Sequence, residues 1–251
     1  MKESEESRLL IHMDKVCLRK DARYVFSDLD LKIENPGIKL LMGRNSEEIP
    51  LFLELLFGLI SPEKGEIRIL GYKHRLFQKL RFQLMGYATV NFKLANRLTI
   101  SENLNHLSRV RGVRKAEIAA RIDSIVEGVC LEPLLNSCLN SLSFSEQMQV
   151  NLAIQLINKP EIVLIDQVLD GLKYPIRNHI FRYLESSSGT QTIILGTTDP
   201  HFVDDFRDVY LLKGGGLSYW QGKSLLNNFR GLTLENQYPL WFEQCDNSRD
   251  V

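Results

Sequence analysis

The feature that most constrains the fold of this chain is a short apolar run that ends in a carboxylate. Residues Ile162–Ile165 are all aliphatic, and Asp166 follows them directly within Glu161–Lys173, which reads EIVLIDQVLDGLK. A continuous apolar run of this length is typical of a strand that is buried on both faces of a parallel sheet. Ligand sites of open α/β sheets lie at the carboxyl edge of such strands, so Asp166 is a candidate site residue.

A second apolar run, Ile38–Met42, leads into the loop Gly43–Pro50, which reads GRNSEEIP. The next stretch, Pro50–Ile60, is apolar almost all round, which is typical of a core helix. A strand, a loop that begins with glycine and a helix follow each other in this order in phosphate-binding loops. The two runs together predict an α/β protein with a ligand site at the edge of a parallel sheet.

Alternating apolar and polar residues predict antiparallel strands near both ends of the chain. Leu9–Arg19 and Tyr24–Ile33 flank a Lys-Asp turn, and Leu217–Gln221 closes a final hairpin. From about Leu98 to Leu139 the spacing becomes helical, with Ser101 as the predicted N-cap of one helix. The remaining predicted strands are Glu66–Leu70, Leu84–Val90, Thr192–Thr197 and Asp208–Leu212.

Composition excludes several classes of protein. Hydrophobic residues make up 44% of the 251 residues, enough for a large core, and the 31 Lys and Arg balance the 31 Asp and Glu. With no net charge and no basic run, we expect no nucleic-acid partner. The apolar stretches are too short to cross a bilayer, and the acidic start MKESEESRLL does not resemble a secretion signal. The scattered cysteines predict neither a metal site nor disulfides, and fit a reducing cytosol; they are Cys17, Cys130, Cys138 and Cys245.

Several segments, taken in order, resemble the motifs of ATP-binding cassette (ABC) ATPases. Besides the two runs above they are SPEKGEIRILGY, LTISENLNHLSRVRGV, SLSFSEQMQVNLAIQLINKPEIVLID and DVYLLKGGGLSYWQGK, and the resemblance extends from Leu9 to Phe229. It implies an α/β ABC ATPase fold of the P-loop NTPase type, with a mixed sheet, parallel central strands, antiparallel N-terminal strands and an inserted helical lobe. We therefore expect an ABC domain over 1–230, its lobe at about 90–140, and an aromatic C-terminal tail over 231–251.

The resemblance places a degenerate nucleotide-binding loop at eight positions, which are Gly43, Arg44, Asn45, Ser46, Glu47, Glu48, Ile49 and Pro50. Gly43 and Asn45 match the family pattern. Ser46 and Glu48 stand at glycine positions, so side chains fill space where backbone N–H groups should wrap phosphates.

The last two loop positions lose the groups that hold the nucleotide. Ile49 replaces the Lys that contacts the β- and γ-phosphates, and Pro50 replaces the Ser or Thr that binds Mg²⁺. A glutamate about 6 Å from one phosphate charge would cost on the order of 3 kcal/mol at an effective dielectric near 20. Two interpretations stay open: the loop has drifted, or a glutamate takes the phosphate's place at the helix N-terminus, where an anion is stabilised.

Positions that serve hydrolysis in the family are also altered. Asp166 matches the residue that positions Mg²⁺ through water, but Gln167 stands where the family has the glutamate that polarises the attacking water. Val90 replaces a glutamine that senses Mg²⁺, and Thr198 replaces the histidine that contacts the γ-phosphate. The family's signature sequence Leu-Ser-Gly-Gly-Gln is here Leu142, Ser143, Phe144, Ser145 and Glu146. We expect no catalytic residue and no bound metal.

The resemblance implies a degenerate, non-hydrolysing ABC subunit on the inner face of the cell membrane. It would dock on a transmembrane subunit through its helical lobe and pair with a second ABC subunit, either another cassette or a copy of itself. No cofactor is expected, although weak Mg-ATP binding through Asn45, Asp166 and stacking by Tyr24 is left open. The alternatives are a soluble scaffold or regulator, for which exposed Tyr238, Trp241 and Phe242 would supply a binding surface, and a residual weak ATPase.

Overall fold

The computed structural model of the chain describes residues 9–21, 23–43, 47–92, 97–221 and 238–241. The described residues belong to two compact units. The first unit is formed by residues 1–79 and 194–251, and the second by residues 80–193. The boundary after residue 193 lies within one strand, and the boundary after residue 79 lies within one helix.

The described part of the chain contains the ten strands and six α-helices that follow, and residues 238–241 are helical as well. The strands are β1 Ile11–Lys20, β2 Arg23–Ile33, β3 Gly37–Gly43, β4 Lys64–Ile69, β5 Tyr72–Lys73, β6 Met85–Thr89, β7 Ile162–Asp166, β8 Thr192–Thr197, β9 Asp208–Lys213 and β10 Gly216–Gln221. The helices are α1 Glu48–Phe57, α2 His74–Leu84, α3 Ile100–Val110, α4 Ile118–Gly128, α5 Phe144–Leu156 and α6 Tyr174–Ser187. Short 3₁₀ helices connect some of them, at Lys115–Glu117, Glu132–Leu134, Leu139–Ser141 and Pro200–Asp205.

The strands form two sheets. The first has the order β2-β1-β4-β5 and is antiparallel, with Ile11 opposite both Ile33 and Ile69. The second has the order β10-β9-β3-β8-β7-β6; β3 runs parallel to β9 and β6 parallel to β7, whereas β10 is antiparallel to β9. These sheets confirm the predicted mixed sheet with parallel strands and the antiparallel N-terminal pair.

Helix α1 lies in the core of the first unit. Six of its ten residues are buried, and the ring of Phe52 meets that of Phe26 edge-on at 6.1 Å between centroids. The helix ends at Gly58, whose left-handed φ of 74° is a backbone conformation that glycine adopts without steric cost. The apolar pattern at Pro50–Ile60 therefore gave the correct element, but the helix begins two residues earlier, at Glu48.

In the second unit, helices α3, α4 and α5 lie between β6 and β7 in the sequence. Helix α5 is buried on nearly all sides and carries two buried polar side chains, Gln149 and Asn151. Gly86 of β6 permits the close packing of α5 on this strand, because a Cβ at Gly86 would lie 2.5 Å from the carbonyl oxygen of Gln155.

Two local features differ from the sequence analysis. Thr99, not Ser101, caps α3: its hydroxyl accepts from the Glu102 N–H at 3.2 Å, and the Glu102 carboxylate accepts from the Thr99 N–H at 2.8 Å. Only Thr99 has a glutamate three residues later, so only it can form this capping box. Helix α2 was not predicted at all.

Candidate functional site

The phosphate-loop region of the first unit is described at its two ends. Strand β3 ends at Gly43 and helix α1 begins at Glu48, while Arg44, Asn45 and Ser46 lie outside the described residues. Glu47 is the exposed N-cap residue and makes no side-chain hydrogen bond to the helix.

The side chains at the start of α1 point partly into the protein interior. Ile49 is completely buried, at 0% exposure, and Pro50 is half-buried. One carboxylate oxygen of half-buried Glu48, Oε2, is shielded from solvent and has no hydrogen-bond partner among the described residues. This burial raises the pKa of the Glu48 carboxyl above its usual range. The idea that a glutamate replaces the phosphate gains no support from these contacts and stays a hypothesis.

Glu48 provides a direct test of that hypothesis. Because its pKa is raised in the folded state, the Glu48 carboxyl costs no stability below its unfolded-state pKa. The cost grows as the pH rises above that value and is fully present above the folded-state pKa. We expect Glu48→Gln to raise the free energy of unfolding by up to about 1 kcal/mol near pH 7.5, a small value because the group is half-exposed. The gain should shrink towards about pH 4.5, in urea unfolding measured at both pH values.

The matched control is Glu34→Gln, which changes an exposed carboxylate of the same unit and should leave stability nearly unchanged at both pH values. The opposite result for Glu48→Gln, a loss of stability near neutral pH, would show that the protein uses the Glu48 anion. That outcome would favour a glutamate in the phosphate's place.

A segment far along the sequence reaches the first residue of the phosphate loop. The Tyr238 hydroxyl donates to the Gly43 carbonyl at 2.9 Å, and the Tyr238 ring meets that of Trp241 edge-on at 5.8 Å between centroids. Trp241 is fully buried. Trp241 therefore supplies none of the exposed aromatic surface that the scaffold alternative needs, and Tyr238 is half-buried. Phe242 lies outside the described residues.

In the second unit, Asp166 ends β7 as predicted and is 2% exposed. Its carboxylate accepts hydrogen bonds from the Tyr87 hydroxyl at 3.2 Å and from the Gln167 amide at 3.3 Å. Burial raises the pKa of Asp166, while hydrogen bonds from Gln167, Tyr87 and Thr89 oppose the shift. The two neutral donors hold the Asp166 carboxylate in a fixed orientation. Among the described residues, no cationic side chain lies beside it.

Gln167 has a left-handed backbone, with φ of 54°, which is uncommon outside glycine. This conformation turns the chain directly after β7, and the side-chain amide points back to Asp166. A neutral amide can orient a water molecule but cannot accept its proton. The role predicted for Gln167, a residue that has lost base chemistry, stays a prediction.

The sequence analysis missed the partners of Asp166 on β6 and the polar network behind them. Thr89 lies opposite Asp166 in the parallel register, and its carbonyl accepts from the Asn151 amide at 2.6 Å. The carbonyl oxygen of the Gln155 side chain accepts from the Tyr87 N–H at 3.3 Å and from the Arg111 guanidinium at 2.6 Å. Burial lowers the pKa of Arg111 to about 10, which leaves it charged at neutral pH. The network fixes the end of β6 beside Asp166.

Four other positions have unremarkable surroundings. Val90, which follows β6, and Thr198, which follows β8, are both half-buried. Beyond Thr198, His201 is exposed and its ring Nδ1 lies 2.7 Å from the carboxylate of Asp199. Tyr24 is 44% exposed, but the Arg19 guanidinium lies 5.0 Å from its ring centroid, so one face of the ring is already covered.

The five signature positions begin helix α5. Ser143 is its N-cap, and the Glu146 carboxylate accepts from both the N–H and the hydroxyl of Ser143, at 2.7 and 2.6 Å. These hydrogen bonds lower the pKa of Glu146. Leu142 is buried and Ser145 half-buried, whereas the Phe144 ring is 57% exposed and lies 3.3 Å from the position of a Cβ on Gly171. Phe144 and Ser145 thus occupy the positions of the family's two glycines, and the flanking Ser143 and Glu146 form a capping box.

The strand order and the site residues described above agree with the comparisons with known proteins. Residues 26–169, more than half of the chain, match the protein family described as "ABC transporter". The chain belongs to the ABC transporter family. Its α/β fold is that of an ABC nucleotide-binding domain: it superposes on an ATP-binding subunit of an ABC transporter with a TM-score of 0.81 and 20% identity, over 92% of this chain and 99% of that one.

A dimeric, post-hydrolysis ATP-binding cassette bound to ADP and phosphate is also similar, with a TM-score of 0.75 and 21% identity over 84% of this chain and 98% of that one. Among curated proteins, the cell division ATP-binding protein FtsE of Mycobacterium tuberculosis is 27% identical over 79% of this chain and 90% of its own length. ABC transporter G family member 20 of Dictyostelium discoideum is 22% identical over 97% of this chain, which spans only 34% of that protein.

Within the described ranges, no helix combines the length and the apolar character that crossing a bilayer requires.

Proposed function

We propose that this chain is a degenerate ABC nucleotide-binding subunit that does not hydrolyse ATP and serves a transport complex as a structural partner. The observation that carries the proposal is the start of α1. Ile49, at the position of the family's phosphate-binding lysine, is completely buried, and the neighbouring Glu48 adds a carboxylate. An aliphatic side chain offers no charge to the β- and γ-phosphates, and a carboxylate repels them.

The surroundings of Asp166 support the same conclusion for hydrolysis. The only neighbours that the described residues supply to its carboxylate are neutral donors, and the adjacent Gln167 cannot act as a general base. A metal ion in this family is associated with ATP bound to the phosphate loop. Because the loop has lost both its lysine and its hydroxyl ligand, Asp166 alone would hold Mg²⁺ weakly.

The partners follow from the family and from the surface of the second unit. We infer that the chain docks on a transmembrane subunit at the inner face of the cell membrane and pairs with a second ABC subunit. The similarity to a dimeric ATP-binding cassette supports the pairing. Two exposed aromatic side chains, Phe144 at 57% and Tyr174 at 67%, follow the N-caps of α5 and α6 and offer apolar area for such contacts.

Two measurements test the proposal: isothermal calorimetry with Mg-ATP for binding, and an assay of phosphate release for hydrolysis. An intact ABC domain is the positive control in both. We expect no binding heat at millimolar ATP and no phosphate release, either from the natural chain or from Gln167→Glu, because a restored base has no nucleotide to act on. Phosphate release that disappears in Asp166→Ala would contradict the proposal and establish the residual ATPase. Binding without turnover would identify a subunit that nucleotide regulates.

A further inference from the structure

Helix α2 presents one exposed face that combines basic and apolar side chains. Arg75, Lys79 and Phe82 occupy positions i, i+4 and i+7 of α2, and Leu76 lies three residues before Lys79. The four side chains therefore fall within about a third of the helix circumference. All four are exposed, and the apolar pair is 57% exposed at Leu76 and 54% at Phe82. We call these four side chains the α2 face.

The opposite side of the helix fixes its orientation. Phe77 is fully buried, and the Nε2 atom of buried His74 lies 3.0 Å from the carbonyl oxygen of Leu55 in α1. These contacts hold the start of α2 against the core of the first unit. The α2 face is therefore held outward by packing.

The charged residues of this helix are all basic. Its sequence HRLFQKLRFQL contains Arg75, Lys79 and Arg81 and no acidic residue, although the chain as a whole has equal numbers of acidic and basic residues. In the described part of the chain, neither Arg75 nor Lys79 takes part in an ion pair. The Arg81 guanidinium lies 5.0 Å from the centroid of the Phe82 ring. Cations and exposed apolar groups are thus interleaved.

We propose that the α2 face binds the surface of an anionic lipid bilayer. The boundary between headgroups and acyl chains accepts apolar side chains, while anionic headgroups attract basic ones, so one surface satisfies both halves of the face. A nucleic-acid backbone or an acidic peptide would neutralise Arg75 and Lys79 but would leave Leu76 and Phe82 without an apolar environment. The inference goes beyond the proposed pairing with ABC and transmembrane subunits and stands without it.

The test is co-sedimentation of the purified full chain with vesicles of phosphatidylcholine and phosphatidylserine in a 70:30 ratio, and with pure phosphatidylcholine. We expect binding to the anionic vesicles that weakens with added salt, and little binding to the neutral ones. Arg75→Gln with Lys79→Gln should weaken binding about 30-fold, since each basic residue near an anionic surface contributes roughly a factor of five. Leu76→Ser with Phe82→Ser should weaken it about tenfold while the salt dependence remains.

The matched control is Arg23→Gln with Lys32→Gln, which removes the same charge from exposed positions of β2 and should leave vesicle binding within about twofold. All the substituted side chains are exposed, and thermal melting of each variant verifies that it is folded. Equal binding to neutral and anionic vesicles, or equal losses in the control and the α2 variants, would overturn the proposal. So would an α2-dependent binding of RNA or an acidic peptide in the absence of vesicle binding.

Discussion

Trp241→Ala is expected to lower the free energy of unfolding of the first unit by about 3–5 kcal/mol, the usual cost of removing a large buried aromatic side chain. Trp241 has no exposed surface, and its ring packs edge-on against Tyr238. Urea unfolding followed by circular dichroism measures the change in the midpoint and its slope.

Tyr72→Ala serves as the matched control in the same unit, because Tyr72 is 43% exposed and its truncation should change stability by no more than about 0.5 kcal/mol. Tyr238→Phe separates the hydrogen bond to Gly43 from the packing and should cost about 1 kcal/mol. A loss below about 1 kcal/mol for Trp241→Ala would contradict the packing of residues 238–241 in the core of the first unit.

Restoring the phosphate loop is expected to create nucleotide binding where the natural chain has none. The variant carries Ser46→Gly, Glu48→Gly, Ile49→Lys and Pro50→Ser. At an effective dielectric near 20, removing one carboxylate and adding one ammonium about 6 Å from a phosphate charge together contribute up to about 6 kcal/mol. Part of this is lost to ordering the loop, so we expect a gain of roughly 10³-fold in Mg-ATP affinity by calorimetry.

The same variant with Ile49 retained isolates the lysine and should bind ATP about 30-fold more weakly than the full restoration, because the lysine supplies about half of the gain in free energy. Circular dichroism shows whether each variant remains folded, which matters because Ile49 is buried. A folded restored variant without detectable binding would show that the altered loop residues are not what prevents binding in the natural chain.

The buried framework could be predicted because its signals are local. The aliphatic run before Asp166 and the apolar run before Gly43 are strands β7 and β3, since fully buried strands need an unbroken apolar sequence. Helix α2 was not predicted because its sequence lacks such a clear local pattern. Its apolar residues Leu76 and Phe82 lie on the exposed side and Arg81 on a half-buried one, so the sequence shows no clean division between polar and apolar faces.

The candidate site could be predicted only in part. Asp166 could be predicted because it directly follows the apolar run of its own strand. Thr89 becomes its neighbour only through the register between β6 and β7. Nothing near residue 89 in the sequence specifies that pairing. The contact between Tyr238 and Gly43 joins residues 195 positions apart, and a Pro and a Leu between two aromatic residues give no local signal of where they pack.

The contact of Tyr238 and Trp241 with the first unit has a practical consequence for how this chain is handled. The family model matches residues 26–169, and the motif resemblance ends near Phe229. A protein shortened at that point would lose the donor to the Gly43 carbonyl and a tryptophan from its interior. Such a truncation, or an affinity tag fused close behind Trp241, would perturb the phosphate-loop backbone from the far end of the polypeptide. For this chain, the recognisable family motifs end before the last residues that pack in its interior.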